Sequence, residues 1–417
     1  MVIAVTGRKI LKLELESGGR GVSKSREVER SADWSWPWWP LLPLYPYGQR
    51  RTLRREVIAN QIWTFDQMQG IFYVVVPIRM TVIRLAAGGL LVYAPVAPTP
   101  ECIRLVKELE AIHGEVKYIV LPTVTGLEHK VFVGPFARKF PSAQVYVARN
   151  QWSFPLNLPL SWLGFPMGRT HCLPENPADA PFGDEFDYRV LGPVNLGIGP
   201  FSEVALLHRS SKTLLVTDSV VSIPAEPPPI VQLDSYPLLF HAKESAADAP
   251  ADTVENRRRG WQRIALFAFY FRPDALKEPE WAHVWQARKQ ASDRSKQAYF
   301  GLYPFAWEPG WQQSFERLSG NGRLVVAPVL QSLIFNRGAQ AVLDWADQIG
   351  QLAFERVIPC HLEAPIKADG KTFRHAFSFL APENRSGRGG NLPEADFSLL
   401  NRISRQLETF RITPPPG

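Results

Sequence analysis

The sequence predicts an α/β (α+β) chain in which two β-sheets are sandwiched between helices and one helical segment is inserted. Three observations predict it. Residues 56–98 form a series of β-branched and aromatic runs. Strand–helix–strand units follow, first through residue 148 and again at 323–361. Between about 222 and 322 the composition changes to Pro-rich and acidic stretches, then to segments rich in Trp, Phe and Arg. Alternation of this kind builds layers, because each sheet face needs a helix or a second sheet to bury it.

The chain has 417 residues, 45% of them hydrophobic, which is ample for a large core. Charged residues make up 21%, which is against disorder over most of the length.

Residues 1–32 read as a weakly ordered leader, rich in Gly, Ser, Arg and Glu after residue 16; a start codon assigned too early would give the same. Residues 33–56 form a Trp/Pro-rich strap and a basic cluster. The strap reads WSWPWWPLLPLYPY, and proline at this density forbids a helix and disrupts a sheet ladder. Three readings stay open. The strap packs across its own domain; or Trp34, Trp36, Trp38 and Trp39 form a foot at a membrane interface, backed by Arg50, Arg51, Arg54 and Arg55; or the same surface meets a protein partner.

Residues 57–380 form the main domain. Strands are expected at Ile62–Phe65, Phe72–Val76, Met80–Leu85 and Leu90–Tyr93, with Gly88-Gly89 turning the last hairpin. Thr99 is the expected N-cap and Pro100 the first residue of a helix whose apolar face is Cys102, Leu105, Val106, Leu109 and Ile112. Tyr118–Leu121 is a short buried strand. A polar loop, a helix at Val133–Phe140 and the strand Gln144–Ala148 come next. Residues 150–185 are expected to be loop. Strands resume at Phe186–Leu191, Glu203–His208 and Thr213–Thr217. The segment 222–322 is read as an insertion or cap. After it come a short strand, a helix over Ala339–Phe354 and the strand Arg356–Cys360. Residues 381–417 hold a Gly/Arg loop and a final amphipathic helix.

The net charge is +7, from 47 basic and 40 acidic residues. That is a small excess over a large surface, and no basic cluster is interleaved with a nucleic-acid motif, so nucleic acid is not the expected partner. Cys102, Cys172 and Cys360 are odd in number and widely spaced, so no disulfide framework is implied and a reducing compartment is expected. No apolar run approaches the ~18 residues of a membrane span. No phosphate-binding loop, dinucleotide Gly pattern or Gly-x-Ser-x-Gly elbow stands in a convincing context.

The order of segments is more specific than the class. MTVIRLAAGGLLVYAPV, PECIRLVKELEAIHG, KYIVLP, TVTGLEHK, FVGPFARKFP and QVYVA follow one another as hairpin, helix, strand, polar loop, helix and strand. This resembles the opening of the metallo-β-lactamase superfamily, which implies an αββα four-layer sandwich with a helical insertion. The polar loop of that superfamily carries His-x-His-x-Asp-His. With WPLLPLYPYGQRRTLRREV and SKTLLVTDSV, the chain also resembles a narrower family, domain of unknown function 4336, from cyanobacteria and plastid-bearing organisms. That resemblance brings no activity with it; it places the protein in a cyanobacterial cytoplasm or a plastid.

What the superfamily resemblance implies can be carried over residue by residue. His129 takes the final His of the motif and Glu128 takes its Asp; Val124 and Gly126 stand where the two earlier His would be. LGIGPFSEV matches the loop of the next His ligand and has no His. TDSV places Asp218 at the bridging Asp, and VIPCHLE places His361 at the last ligand. One metal position has thus lost its three His. The other keeps a competent ligand at all four places: Glu128, His129, Asp218 and His361. Two imidazoles and two carboxylates suit one Zn, Fe or Mn ion, and such a site could hydrolyse an ester, thioester or phosphoester. A further His171-Cys172 pair would join this site if its loop folds over the pocket. The alternative from another class is a non-enzymatic factor that uses the fold as a platform on a membrane surface or a partner complex.

Overall fold

The computed structural model describes residues 32–124, 127–151, 157–197, 199–381 and 392–417. The expected leader, Gly126, Ile198 of the LGIGPFSEV loop and most of the Gly/Arg loop lie outside the described residues.

Among the described residues, twelve strands are arranged in two sheets. The first sheet runs β1 (Leu53–Ile58), β2 (Ile62–Ile71), β3 (Val74–Arg84), β4 (Leu90–Tyr93), β5 (Val116–Leu121), β6 (Gln144–Val147) and β7 (Thr170–Cys172), in spatial order. β1 to β4 are antiparallel neighbours, and β4 to β7 are parallel. The second sheet has the order β12 (Ile366–Lys367), β11 (Arg356–Pro359), β10 (Thr213–Val216), β9 (Pro200–His208) and β8 (Phe186–Asn195). Within it only β10 and β11 are parallel.

Side-chain alternation explains the four layers. Leu91 and Tyr93 of β4 and Val120 of β5 meet Val204 and Leu206 of β9, Leu215 of β10 and Ile358 of β11 between the sheets. Their neighbours Leu90, Val92, Ile119 and Leu121 point the other way, onto the helices Pro100–His113 and Leu127–Ala137. Ala205, Leu207, Leu214 and Val216 likewise face the helix Ala339–Gly350. Strands buried on both faces read as continuous apolar runs, because both periods of the strand are filled. The molecule is therefore an αββα sandwich.

The helices of the 222–322 segment pack on the far end of the β2–β3 hairpin. Met68 and Val75 join Leu238, Trp261, Ile264 and Phe315 in one cluster. Phe397 and Leu400, at the start of the final helix Ser398–Thr409, belong to the same cluster. Among the described residues no helix is long and apolar enough to cross a membrane.

Several expectations need correction. Phe72-Tyr73 is the turn of a long hairpin, not strand; Ile71 pairs with Val74 directly across it. The second helix begins at Leu127, so Glu128 and His129 sit on a helix's first turn, not in a loop. The helix from Ala339 ends at Gly350, and the short strand before it is only a single bridge, Val325 to Val221. His171 and Cys172 belong to the edge strand β7, and both are exposed. His171 bonds Gln144 of β6 at 3.0 Å and stacks on Tyr146, so this pair does not fold over the site.

The strap and basic cluster also divide. Trp36 is 2% exposed and packs edge-on to Phe132, inside the helix layer. Arg50 is fully buried beside the same ring and donates to the Met68 carbonyl. Neither is available to a membrane. Trp34 is half-buried under the Arg51 guanidinium. Arg54 is held by the Leu105 carbonyl and Glu108, and Arg55 by the Ala364 carbonyl. Trp38 and Trp39 are the exposed pair, at 52% and 39%.

Two buried histidines away from the polar cluster make a pH prediction. Burial lowers His208 and His241 to about 4. An unfolded chain takes up those protons below about 6.5, while the folded chain resists until about 4. Their contribution is therefore full above pH 6.5 and is lost as pH falls toward 4, at about 1.4 kcal/mol per pH unit for each histidine. Urea midpoints between pH 7 and 4.5 should show a slope that shrinks in His241→Gln; an unchanged slope would remove His241 from the account.

Candidate metal centre

The polar residues gather where the parallel strands end. Asp218 follows β10 by two residues and His361 follows β11 by two. Glu128 and His129 open the helix that follows β5. Open α/β sheets collect ligand groups at the carboxyl ends of their strands, since the loops there converge. Here two sheets contribute to one such edge.

His361 is the centre of the group. Its Nε2 lies 3.0 Å from Asp218 Oδ1 and 3.6 Å from Glu128 Oε2. Its Nδ1 is 2.8 Å from the Pro77 carbonyl on β3. A carbonyl can only accept, so Nδ1 carries a proton and Nε2 is the atom turned to the carboxylates. His129 repeats the arrangement. Its Nδ1 donates to the Pro95 carbonyl at 3.0 Å, and its buried Nε2 has no hydrogen-bond partner. Metal-binding histidines are oriented in this way, with the second nitrogen anchored to a carbonyl or carboxylate.

Charge follows geometry. Burial alone would lower His361, but the hydrogen bond and charge of Asp218, helped by Glu128, raise it to about 9. Burial pushes Asp218 up, and His361 outweighs that, so Asp218 ends below the usual carboxylate range. Glu128 is raised, chiefly by burial, although His361 opposes the rise. Burial lowers His129 to about 4. Near neutral pH His361 Nε2 therefore holds a proton against the Asp218 carboxylate, with Glu128 beside them. The site opens to solvent through those carboxylates, whose side chains are 39% exposed for Glu128 and 31% for Asp218.

Three buried groups hold Asp218, His361 and Glu128 in place, and no motif of the sequence points to them. Glu203, on β9, accepts from the backbone N–H of Thr217, Asp218 and Ser219 at 2.8, 3.0 and 2.9 Å and from the Ser219 hydroxyl at 2.8 Å. It fixes the turn that carries Asp218. Burial and the nearby Asp218 raise its pKa, against the pull of those four donors. Arg79, on β3, pairs with Asp66 at 2.6 Å and donates to the Pro359 and Leu362 carbonyls at 2.8 and 2.7 Å. It clamps both sides of His361. Gln69 hydrogen-bonds Glu128, and Arg50 adds a positive field there. One signal was available: Glu203 and Arg79 are charged residues inside largely apolar strands, and a buried charge must be paired.

The fit to a cation can be tested on these atoms. Among the described residues no three His, Cys, Asp or Glu side chains stand in an arrangement that holds a metal ion. Asp218 and His361 are instead paired with each other. The donor set is nonetheless that of a divalent cation site, with two anchored imidazoles, two carboxylates and one buried Nε2 without a partner. Binding of a cation there would require that the proton on His361 be displaced.

Two mixed sheets face to face, with helices on both outer faces, make an αββα sandwich that carries a His/carboxylate cluster at the carboxyl ends of its parallel strands. The family described as domain of unknown function (DUF4336) matches residues 59–379, and the chain belongs to that family. No curated protein matches the chain. Among solved structures, a metallo-β-lactamase from Pontibacter korlensis is similar at 10% identity and a TM-score of 0.32, over 52% of this chain and 83% of that one. A flavoprotein from Thermotoga maritima is similar at 8% identity and a TM-score of 0.39, over 79% of this chain and 61% of that one. These are likenesses of outline.

Proposed function

We propose that this protein is a one-metal hydrolase of the metallo-β-lactamase-like class. Glu128, His129, Asp218 and His361 hold a single Zn, Fe or Mn ion, and the substrate is an ester, thioester or phosphoester. The observation that carries this reading is the pair of histidines. Each is anchored through Nδ1 to a backbone carbonyl, so each offers Nε2, and the buried Nε2 of His129 has no other partner.

The second superfamily position is lost. Val124 is a fully buried valine in the layer between the sheets, so an apolar side chain fills the place of a ligand. A bound cation supplies Lewis acidity and lowers the pKa of a water. The chain's own residues do the rest. Glu203 holds the Asp218 turn, Arg79 holds the His361 loop, and Gln69 orients the Glu128 carboxylate. The two half-open carboxylates form the approach for substrate. Three cysteines, all free, agree with a reducing compartment such as a cyanobacterial cytoplasm or a plastid.

The test is hydrolysis of p-nitrophenyl acetate, an acyl thioester and bis(p-nitrophenyl) phosphate, after loading with each cation and again after chelation. One substrate should turn over and chelation should abolish it. Gln69→Leu, which removes a partner of Glu128, should cost about 10–100-fold in metal affinity or rate. No turnover of any substrate with any of the three cations would sink the hydrolase reading.

One observation favours a second reading, a surface-bound factor. The exposed Trp38 shares a groove of about 810 Å³ with Arg104, Lys107, Arg138 and Lys139. These cations, rather than Arg50–Arg55, would meet an anionic membrane surface or an acidic partner. Co-sedimentation with phosphatidylglycerol vesicles that is lost in Trp38→Ala would support it.

A further inference from the structure

The 222–322 segment and the tip of the β2–β3 hairpin enclose a second cavity, of about 550 Å³, remote in character from the polar cluster. Its wall is aromatic and aliphatic, and Phe72, Phe240, Phe267, Phe271, Trp281 and Phe305 are among its lining residues. The charged groups among its lining residues are Arg272 and Lys277. The volume is that of a pocket for a small organic molecule, roughly 300–1,000 Å³.

Several aromatic residues at or next to this cavity have positive φ. Phe72 and Tyr73 form a two-residue hairpin loop with φ of 52° and 62°. A hairpin with positive φ at both central residues calls for Asn-Gly, because bulky side chains are strained there. Phe271 ends the helix Val254–Tyr270 at φ 61° and ψ −47°, where glycine would be unstrained. Tyr299 and Phe300 also have positive φ, at 49° and 57°. Five aromatic residues thus sit in backbone conformations that disfavour them, and Phe72, Phe271 and Tyr299 line the cavity. Two of those rings remain exposed, Phe72 at 61% and Phe271 at 39%, so self-packing does not repay the strain.

We infer that this cavity binds an amphiphile with a long apolar chain and a single acidic head group. The chain lies among the rings of Phe72, Phe267, Phe271 and Phe305, and the head meets Arg272 and Lys277. Lys277 now pairs with Glu308 at 2.7 Å and Arg272 pairs with Glu278. Surface pairs of this kind contribute little and exchange readily for a ligand carboxylate. The inference does not depend on the metal centre.

The probe is cis-parinaric acid, a fluorescent polyene fatty acid, titrated into the full chain beside its methyl ester. Wild type should bind the free acid at micromolar concentration and the ester less tightly. Phe72→Asn, which gives the turn a residue suited to positive φ, should weaken binding about tenfold while the urea midpoint holds or rises. Lys277→Met should erase the preference for acid over ester. Absence of binding by wild type, or unchanged binding by Phe72→Asn, would overturn the inference. So would association with phosphatidylglycerol vesicles but not with the free acid, which would make the aromatic rim a membrane foot instead.

Discussion

Arg79→Met should destabilise the protein by about 3–5 kcal/mol, the cost of leaving one partner of a buried ion pair unpaired. Both sides of that pair are almost fully covered, and Asp66 Oδ1 sits 2.6 Å from Arg79 Nε. The same guanidinium closes the Pro359 and Leu362 carbonyls on either side of Cys360 and His361. Losing it exposes three acceptors at once: the Asp66 carboxylate and two buried carbonyls. The His361 loop should then loosen, so metal affinity falls together with stability. Asp66→Asn with Arg79→Met should recover part of the stability, because it removes the stranded charge, but should not restore the loop. Urea denaturation and cation titration of the three proteins separate these effects. A double variant that regains both stability and affinity would mean that the carbonyl contacts do not position His361.

Glu203→Gln should be nearly as costly, at about 2–4 kcal/mol. Four donors converge on the carboxylate. A Gln side chain offers one oxygen, and its NH₂ would face donors, leaving buried N–H groups unsatisfied at about 1–3 kcal/mol each before relaxation. The turn carrying Asp218 should open, and the Asp218–His361 contact with it. Glu203→Asp, which keeps the charge but shortens the reach, should fall between. If Glu203→Gln leaves both the midpoint and cation binding unchanged, the carboxylate is not what holds the turn.

Much of the fold was legible because its rules are local. Thr99 accepts from the Cys102 N–H, as an N-cap should, and Pro100 opens the helix. Gly88 and Gly89 take the positive φ that the β3–β4 turn requires. The order of strands and helices then matched an αββα sandwich. What was not legible depended on contacts between distant segments. The Phe72-Tyr73 turn carries no turn residue, so the long hairpin read as separate strands. His171 and Cys172 lie on a three-residue edge strand too short to show a period. The burial of Arg50, and the choice among the three readings open for Trp36, depended on a partner, Phe132, more than eighty positions away.

The candidate site divides in the same way. The resemblance named Glu128, His129, Asp218 and His361, and the structure places Glu128 and Asp218 against His361 with His129 in their electric field. The groups that hold them, Glu203, Arg79 and Gln69, lie on strands and act through backbone atoms of other segments. Spacing along the chain carries no trace of such contacts.

Metal content tests the central claim most directly. Untagged protein, loaded with Zn, Fe or Mn and freed of excess, is measured by elemental analysis beside the His129→Ala/His361→Ala double variant. Close to one equivalent of one cation is expected in wild type and none in the variant. No bound cation in wild type after loading with each of the three would contradict it and leave the His361 cluster as a structural ion pair.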